Sequence, residues 1–328
     1  MSIGAIIGAG IFVLIGVASG LSGPAVILSF MIAGITAFFT ALSSAELSSF
    51  ITEAGGSYIY THKAFGKFWG FVVGWMQSFD YIVGASVVSI GFAAYFTYFA
   101  EIPGTLSTII VVGCALPLLL MLINFKGIKE ASGANNLLVG LKVGALLLFI
   151  IIGAYYLFSR GDFSNYHPFF PTGIAGMLSG TSIIFFAFVG FNTVAVLAEE
   201  VKNPEKNVPK AIMLAFVICT VLYLGVSVVA VGLVNWKILG TSDAPLEVAL
   251  RVATNNILLL KFISMSALFA TASVVMSSIF GGSRALFAMA RQHVIPGLVA
   301  RVSKRGVSHL CCIREWACNR FSRSCFAW

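Results

Sequence analysis

Glycines at Gly4, Gly8 and Gly10 interrupt the run Ile3-Gly4-Ala5-Ile6-Ile7-Gly8-Ala9-Gly10-Ile11-Phe12, which is otherwise apolar enough for a membrane interior. Each glycine costs a helix about 1 kcal/mol relative to alanine, yet it lets the backbone open or lets another group approach closely. Opened backbone at membrane depth is tolerated only where it is buried in protein or lines a cavity. Two readings stand side by side. One is an unwound hinge whose free N–H groups receive a carboxylate, helped by the positive end of the half-helix that follows. The other is close packing of small-xxx-small type, which Gly4-x-x-x-Gly8 also fits. A nucleotide-binding glycine loop would need a preceding strand and an acidic partner, and the sequence offers neither.

A second interruption stands in Ile183-Ile184-Phe185-Phe186-Ala187-Phe188-Val189-Gly190-Phe191-Asn192-Thr193, where Gly190 and Asn192 fall mid-span. Beside an opened backbone a bulky ring can close over a substrate, and Phe186 is the ring expected to do so. Two intramembrane ionisable groups accompany the interruptions. Lys142 lies near the centre of an apolar segment, too far from either end to snorkel, so it must face protein or water. It is either a proton-titrating amine or a structural ammonium bonded to carbonyls. Asp80, in Trp75-Met76-Gln77-Ser78-Phe79-Asp80-Tyr81, is either a proton relay or gate residue or a polar strut. Glu199 and Glu200 are expected to mark the end of the second interrupted segment.

These residues must be positioned by membrane-spanning helices. With 59% hydrophobic and 10% charged residues, the chain is far from soluble domains, where about 25% of residues are charged. Apolar segments long enough to cross about 30 Å of hydrocarbon fall at Ile3–Ser19, Pro24–Ile51, Phe68–Ala100, Thr105–Asn124, Gly133–Phe158, Ile174–Ala198, Ala211–Trp236 and Ile257–Ala290. The expected class is an all-α polytopic membrane protein. The net charge of +8 is spread over several loops rather than clustered, which argues against a nucleic-acid partner. Lys63, Lys67, Lys126, Lys129, Lys202, Lys206 and Lys210, with Arg291, Arg301, Lys304 and Arg305, gather on one side. The other side carries Arg160, Lys237, Arg251 and Lys261. The richer side is cytoplasmic by the positive-inside rule, with the N-terminus inside.

Cys114 and Cys219 sit in apolar spans and read as core residues. Cys311, Cys312, Cys318 and Cys325 crowd a tail whose composition changes near Val307, and their spacing beside His309 fits no standard zinc pattern. Residues 307–328 are expected to be an aberrant, disordered tail, and 1–306 the membrane region. Interruptions in the first and sixth spans point to an inverted repeat of five helices plus five, with the first repeat at 1–158 and a partial second at 174–290. The outer loop between Asn235 and Asn256 is expected to hold a short helix around Ala244 to Thr254, capped near Asp243. The spans contain no His or Cys cluster and no carboxylate pair, so an enzyme is not expected, and no cofactor is implied.

Four motifs in order, the Gly4–Gly10 run, Glu53-Ala54-Gly55-Gly56-Ser57-Tyr58, Phe186-Ala187-Phe188-Val189-Gly190-Phe191 and Ala198-Glu199-Glu200-Val201-Lys202-Asn203-Pro204, resemble the amino acid-polyamine-organocation permeases, particularly their cationic amino acid transporter branch. The resemblance implies a five-plus-five transporter fold with discontinuous helices one and six. It implies substrate carboxylate binding at Gly8, Ala9 and Gly10, α-amine binding by carbonyls at Ile6 and near Phe186 and Val189, and Phe186 stacked over the substrate. It also implies that Lys142 stands in the place of a sodium ion near the Gly4 carbonyl and Ser273, which favours proton coupling. Asn192 stands where many relatives carry an acid, which argues against an arginine or lysine substrate. The expected function is therefore secondary active amino acid transport at the plasma membrane, proton-coupled, by alternating access around a midplane site. Because such permeases usually have twelve or more spans, truncation at both ends is expected, and the alternative is a non-transporting fragment or accessory subunit.

Overall fold

The computed structural model describes residues 2–124 and 128–295. The tail 307–328, with His309 and its four cysteines, lies outside the described residues, as do Lys126, Arg301, Lys304 and Arg305. All regular structure among the described residues is helical. The helices are α1 (Ser2–Ile6), α2 (Ala9–Phe12), α3 (Leu14–Ser22), α4 (Val26–Phe50), α5 (Ser57–Phe65), α6 (Lys67–Phe99), α7 (Leu106–Asn124), α8 (Ile128–Arg160), α9 (Gly173–Phe188), α10 (Thr193–Val196), α11 (Pro204–Leu233), α12 (Trp236–Gly240), α13 (Pro245–Ala253) and α14 (Ile257–Arg291).

Each of the eight expected segments contains helix, but the boundaries move. Six helical runs are long and apolar enough to cross a membrane: Leu14–Phe50, Lys67–Phe99, Leu138–Arg160, Gly173–Val196, Pro204–Leu233 and Ile257–Arg291. The first of these joins the outer part of the first expected span to the second through a 3₁₀ turn at Gly23–Ala25. Leu106–Leu122 is shorter. Helix α11 starts at Pro204, seven residues before the expected Ala211, because proline at the first helical turn sacrifices no hydrogen bond. The outer-loop helix α13 is present, but its N-cap is Ala244, with no side-chain cap. The Ala244 amide instead donates to Ser242 Oγ at 3.2 Å, so Asp243 does not cap it.

The bundle is organised around the two interrupted segments. Helix α4 packs against α9 and α11, α3 against α9 and α12, and α8 against α11 and α14. Helix α6 lies along α14 and carries α7 on its outer side. The main core joins Ile7, Phe12, Phe30, Phe149, Phe188 and Tyr223, all nearly inaccessible. Leu106, Ile110, Val111, Leu118, Leu119 and Leu122 of α7 are exposed, as helices that face lipid require. Small residues set the closest approaches, since apolar helices in lipid gain little from hydrophobic burial and associate through packing.

One such approach seats the outer loop on the first segment. A Cβ added at Gly16 would lie 2.7 Å from the Leu239 carbonyl oxygen and 3.2 Å from Pro245 Cβ. Gly144 on α8 has nothing within 4 Å of that position. Gly16→Val is therefore expected to destabilise the detergent-solubilised protein by about 1–3 kcal/mol, the usual cost of overpacking. Gly144→Ala should be neutral or stabilising by up to about 1 kcal/mol. Thermal unfolding of the two variants side by side checks both.

Candidate functional site

Both interruptions are real breaks in hydrogen bonding. The α1 ladder ends with Ile7 N–H on Ile3 O, and it resumes with Phe12 N–H on Gly8 O. Among the described residues, the amides of Gly8, Ala9, Gly10 and Ile11 have no backbone acceptor. In an unbroken helix these amides would have bonded the carbonyls of Gly4, Ala5, Ile6 and Ile7. In the second segment α9 stops at Phe188, Val189 is extended, and Gly190 takes φ +118 before α10 begins at Thr193. A side chain at Gly190 would be strained there and would sit 2.7 Å from Ala5 O. The second break therefore lies directly on the first.

Neighbouring helices satisfy several of the carbonyls that the breaks release. Lys142 on α8 is fully buried, and its Nζ donates to Gly4 O and Ile7 O, both at 2.7 Å, and to Ser273 Oγ on α14 at 2.6 Å. An ammonium has three donors, and these three acceptors use them all. Ser273 Oγ lies in turn 3.0 Å from Ala270 O and 3.3 Å from Gly4 O. On the other flank the Tyr223 hydroxyl of α11 lies 2.9 Å from Ile6 O and 3.2 Å from Ala187 O, sharing its proton between the two broken segments. Tyr95 on α6 donates to Phe12 O at 2.7 Å, where α2 gives way to α3.

A cavity of about 420 Å³ opens between the breaks. The first segment contributes Ala5, Ile6, Gly8, Ala9 and Gly10 to its wall, and the second contributes residues 185–193. Thr40 of α4, Gln77, Asp80 and Tyr81 of α6 and Ser278 of α14 supply most of the remaining polar wall. The structure thus brings Ile6, Gly8, Ala9, Gly10, Phe186, Val189, Gly190, Asn192 and Asp80 to one space. Lys142 and Ser273 are not part of that wall and lie behind the first break, at Gly4. Phe186 packs beside Ala9, Val88, Val275 and Met276. Asp80 is exposed. The Oδ1 of Asn192 is buried without a hydrogen-bond partner. Among the described residues, no three His, Cys, Asp or Glu side chains come together to hold a metal.

Gly10 holds a special place because a Cβ there would fall 2.4 Å from Ala187 Cβ and 2.5 Å from Ala187 Cα. Gly8 likewise faces Val274 Cγ2 at 2.4 Å. The two readings of the glycine run are therefore not exclusive: the same glycines free the amides and admit neighbouring helices. Tyr223, Tyr95, Thr40, Gln77 and Ser278 were not singled out by the sequence. For Tyr223 a signal exists, since a phenol in the apolar run Val221-Leu222-Tyr223-Leu224 must find an acceptor at membrane depth.

A bundle of apolar helices with two facing breaks around a largely apolar cavity that carries a few polar groups defines a membrane transport protein. Residues 1–319 match the amino acid permease family, and the chain belongs to it. It is 33% identical to the branched-chain amino acid permease BcaP of Bacillus subtilis, over 92% of this chain and 67% of that protein. It is 34% identical to the methylthioribose transporter of the same organism, over 92% and 68%. It is 36% identical to cationic amino acid transporter 3, mitochondrial, of Arabidopsis thaliana, over 93% of this chain and 52% of that one. The chain thus spans about two thirds of the length of the bacterial relatives and about half that of the plant relative. These relatives are transporters, not enzymes.

Two variants test how the breaks are held. Tyr223→Phe removes the hydroxyl from two buried carbonyls and should cost about 1–3 kcal/mol of stability in thermal unfolding. Gly10→Ala should lower stability and substrate binding together by pushing the segments apart. Adding Ala187→Gly should not restore either, because the Ala187 Cα itself obstructs the new methyl.

Proposed function

We propose that this chain carries an amino acid across a membrane by alternating access around the cavity between the two breaks, driven by protons. The observation that carries the reading is the set of unpaired amides at Gly8, Ala9 and Gly10 on the cavity wall. Clustered N–H groups at the start of a half-helix are a site for an anionic group such as a substrate carboxylate. The α-amine goes to the carbonyls of Ile6 and of Phe186 to Val189. Ile6 O already accepts from Tyr223, and Phe186 O from the Val189 amide at 3.1 Å, but a carbonyl has two lone pairs, so each keeps capacity. Phe186 closes over the bound zwitterion, and the unpaired Oδ1 of Asn192 takes a donor from it.

Lys142 acts from behind the site. Its ammonium ties α8 and α14 to the first break, so loss of its proton removes a donor from Gly4, Ile7 or Ser273 and loosens the segment that forms the carboxylate site. That is the coupling role we assign to Lys142, Gly4 and Ser273, with Asp80 as a relay or gate on the opposite wall. The two breaks are read as equivalent elements of an inverted repeat, 1–158 and 174–290. The lysine-rich loops face the cytoplasm, with the plasma membrane as the site of action. Known relatives carry branched-chain or cationic amino acids or methylthioribose, according to their names, and the zwitterion-binding backbone accounts for the amino acid part of that range.

Proteoliposomes holding the purified chain test the reading with labelled amino acids, with and without an imposed pH gradient. Uptake is expected, stimulated when the outside is acid. Lys142→Met, which leaves Gly4, Ile7 and Ser273 without their donor, should bind substrate more weakly at every pH and lose most of the stimulation. Absence of uptake for every amino acid would overturn the transport reading, and stimulation undiminished in Lys142→Met would overturn the coupling role alone.

A further inference from the structure

The lysine-rich end of the cavity is bounded by the first turn of α5. Ser57, its first residue, belongs to the cavity wall. Just before it, a Cβ at Gly56 would lie 2.8 Å from Val196 Cγ2 on α10 and 3.4 Å from Gln77 Nε2 on α6. The Tyr58 amide donates to Gln77 Oε1 at 3.1 Å. The start of α5 is thus wedged between the inner end of the second broken segment and α6. It arrives there through two consecutive positive φ angles, +135 at Gly55 and +57 at Gly56, a turn that residues with side chains seldom make.

One carboxylate fastens this wedge. Glu199, on the 3₁₀ turn after α10, accepts from the Ala54 amide at 3.2 Å and from Arg291 Nη1 at 3.0 Å, both on its Oε1. A single oxygen therefore joins the glycine turn, the second broken segment and the end of α14. Lys63 pairs with Glu53 at 2.5 Å across the same loop. Side chains of both pairs are between 40% and 60% exposed. Such pairs are weak and screened by salt, which suits a fastening broken and remade in each cycle better than a permanent strut.

We propose that the Gly55-Gly56-Ser57 wedge is the inner gate of the cavity and that Glu199 is its latch. The proposal rests on the transport reading. For a substrate to leave toward the lysine-rich face, the first turn of α5 swings on Gly55 and Gly56 out of the gap between α10 and α6, and the Glu199 contacts to Ala54 and Arg291 part first. Glu199 touches no substrate; it is a positioning residue that sets how often the gate stands open.

The test places one cysteine at Ser57→Cys in a full chain whose native cysteines are replaced. The readout is its labelling rate by a membrane-impermeant maleimide from the lysine-rich face, beside uptake by the same vesicles. Glu199→Ala is expected to raise labelling about threefold to fivefold, and Glu199→Gln, which keeps an acceptor for Ala54, by less. Raising salt to about 1 M, where the Debye length is about 3 Å, should speed labelling with Glu199 intact, so the test survives a variant that fails to fold. Labelling requires no turnover. Uptake with labelling indifferent to both Glu199 and salt overturns the latch alone, and Glu199-dependent labelling without uptake keeps the gate while overturning transport. Indifferent labelling without uptake overturns both.

Discussion

Deep in a bilayer no water stands ready to bond a peptide group, so a helix can be interrupted there only if protein supplies the missing partners. Here two side chains supply them to four carbonyls. The Lys142 ammonium meets the carbonyls of Gly4 and Ile7, and the Tyr223 hydroxyl meets those of Ile6 and Ala187. In a continuous helix these oxygens would have bonded the amides of Gly8, Ile11, Gly10 and Phe191. Satisfying the acceptors from behind leaves the donors of Gly8 and Gly10 on the cavity side. The first break is thus asymmetric: four carbonyls at the breaks already have protein donors, whereas the amides of Gly8, Ala9 and Gly10 have no backbone acceptor.

That asymmetry explains the placement of the surrounding helices. Helix α8 must pass close enough to the first segment for a lysine to reach two carbonyls, and α11 must bring a phenol between both segments. Small residues at Gly8, Gly10 and Gly190 let the backbones come within side-chain distance. The aromatic rings of Phe30, Phe188 and Phe216 then fill the space around Tyr223, with Phe188 edge-on to it at 5.3 Å between centroids. Support for the breaks comes mostly from α8, α11 and α14, with Tyr95 of α6 at the end of α2, while α6 and the first turn of α5 also line the cavity.

Much of this was legible in the sequence because its signals are local. Glycines inside an apolar run marked both breaks, and a lysine far from either end of its span had to be bonded. Helix α5 was not among the expected segments: its residues Ser57–Phe65 fall between the spans ending at Ile51 and beginning at Phe68. Other features were hidden for physical reasons. Tyr223 and Tyr95 are ordinary aromatics until the acceptors opposite them are known, and those acceptors are backbone atoms with no sequence signature. The separation of Lys142 from the cavity could not be read either, since spacing along one helix says nothing of which side of a neighbouring break it approaches. Helix starts shifted where proline or a 3₁₀ turn, rather than hydropathy, set the boundary, as at Pro204 and Gly23.

The contact between Gly10 and Ala187 constrains how such a bundle can move. Two main chains meet there with only the Ala187 methyl between them, a side chain with no rotamer to change, so a side-chain turn cannot absorb displacement at that spot. Any tilt of one broken segment against the other must therefore either keep this seam closed or part the two chains outright.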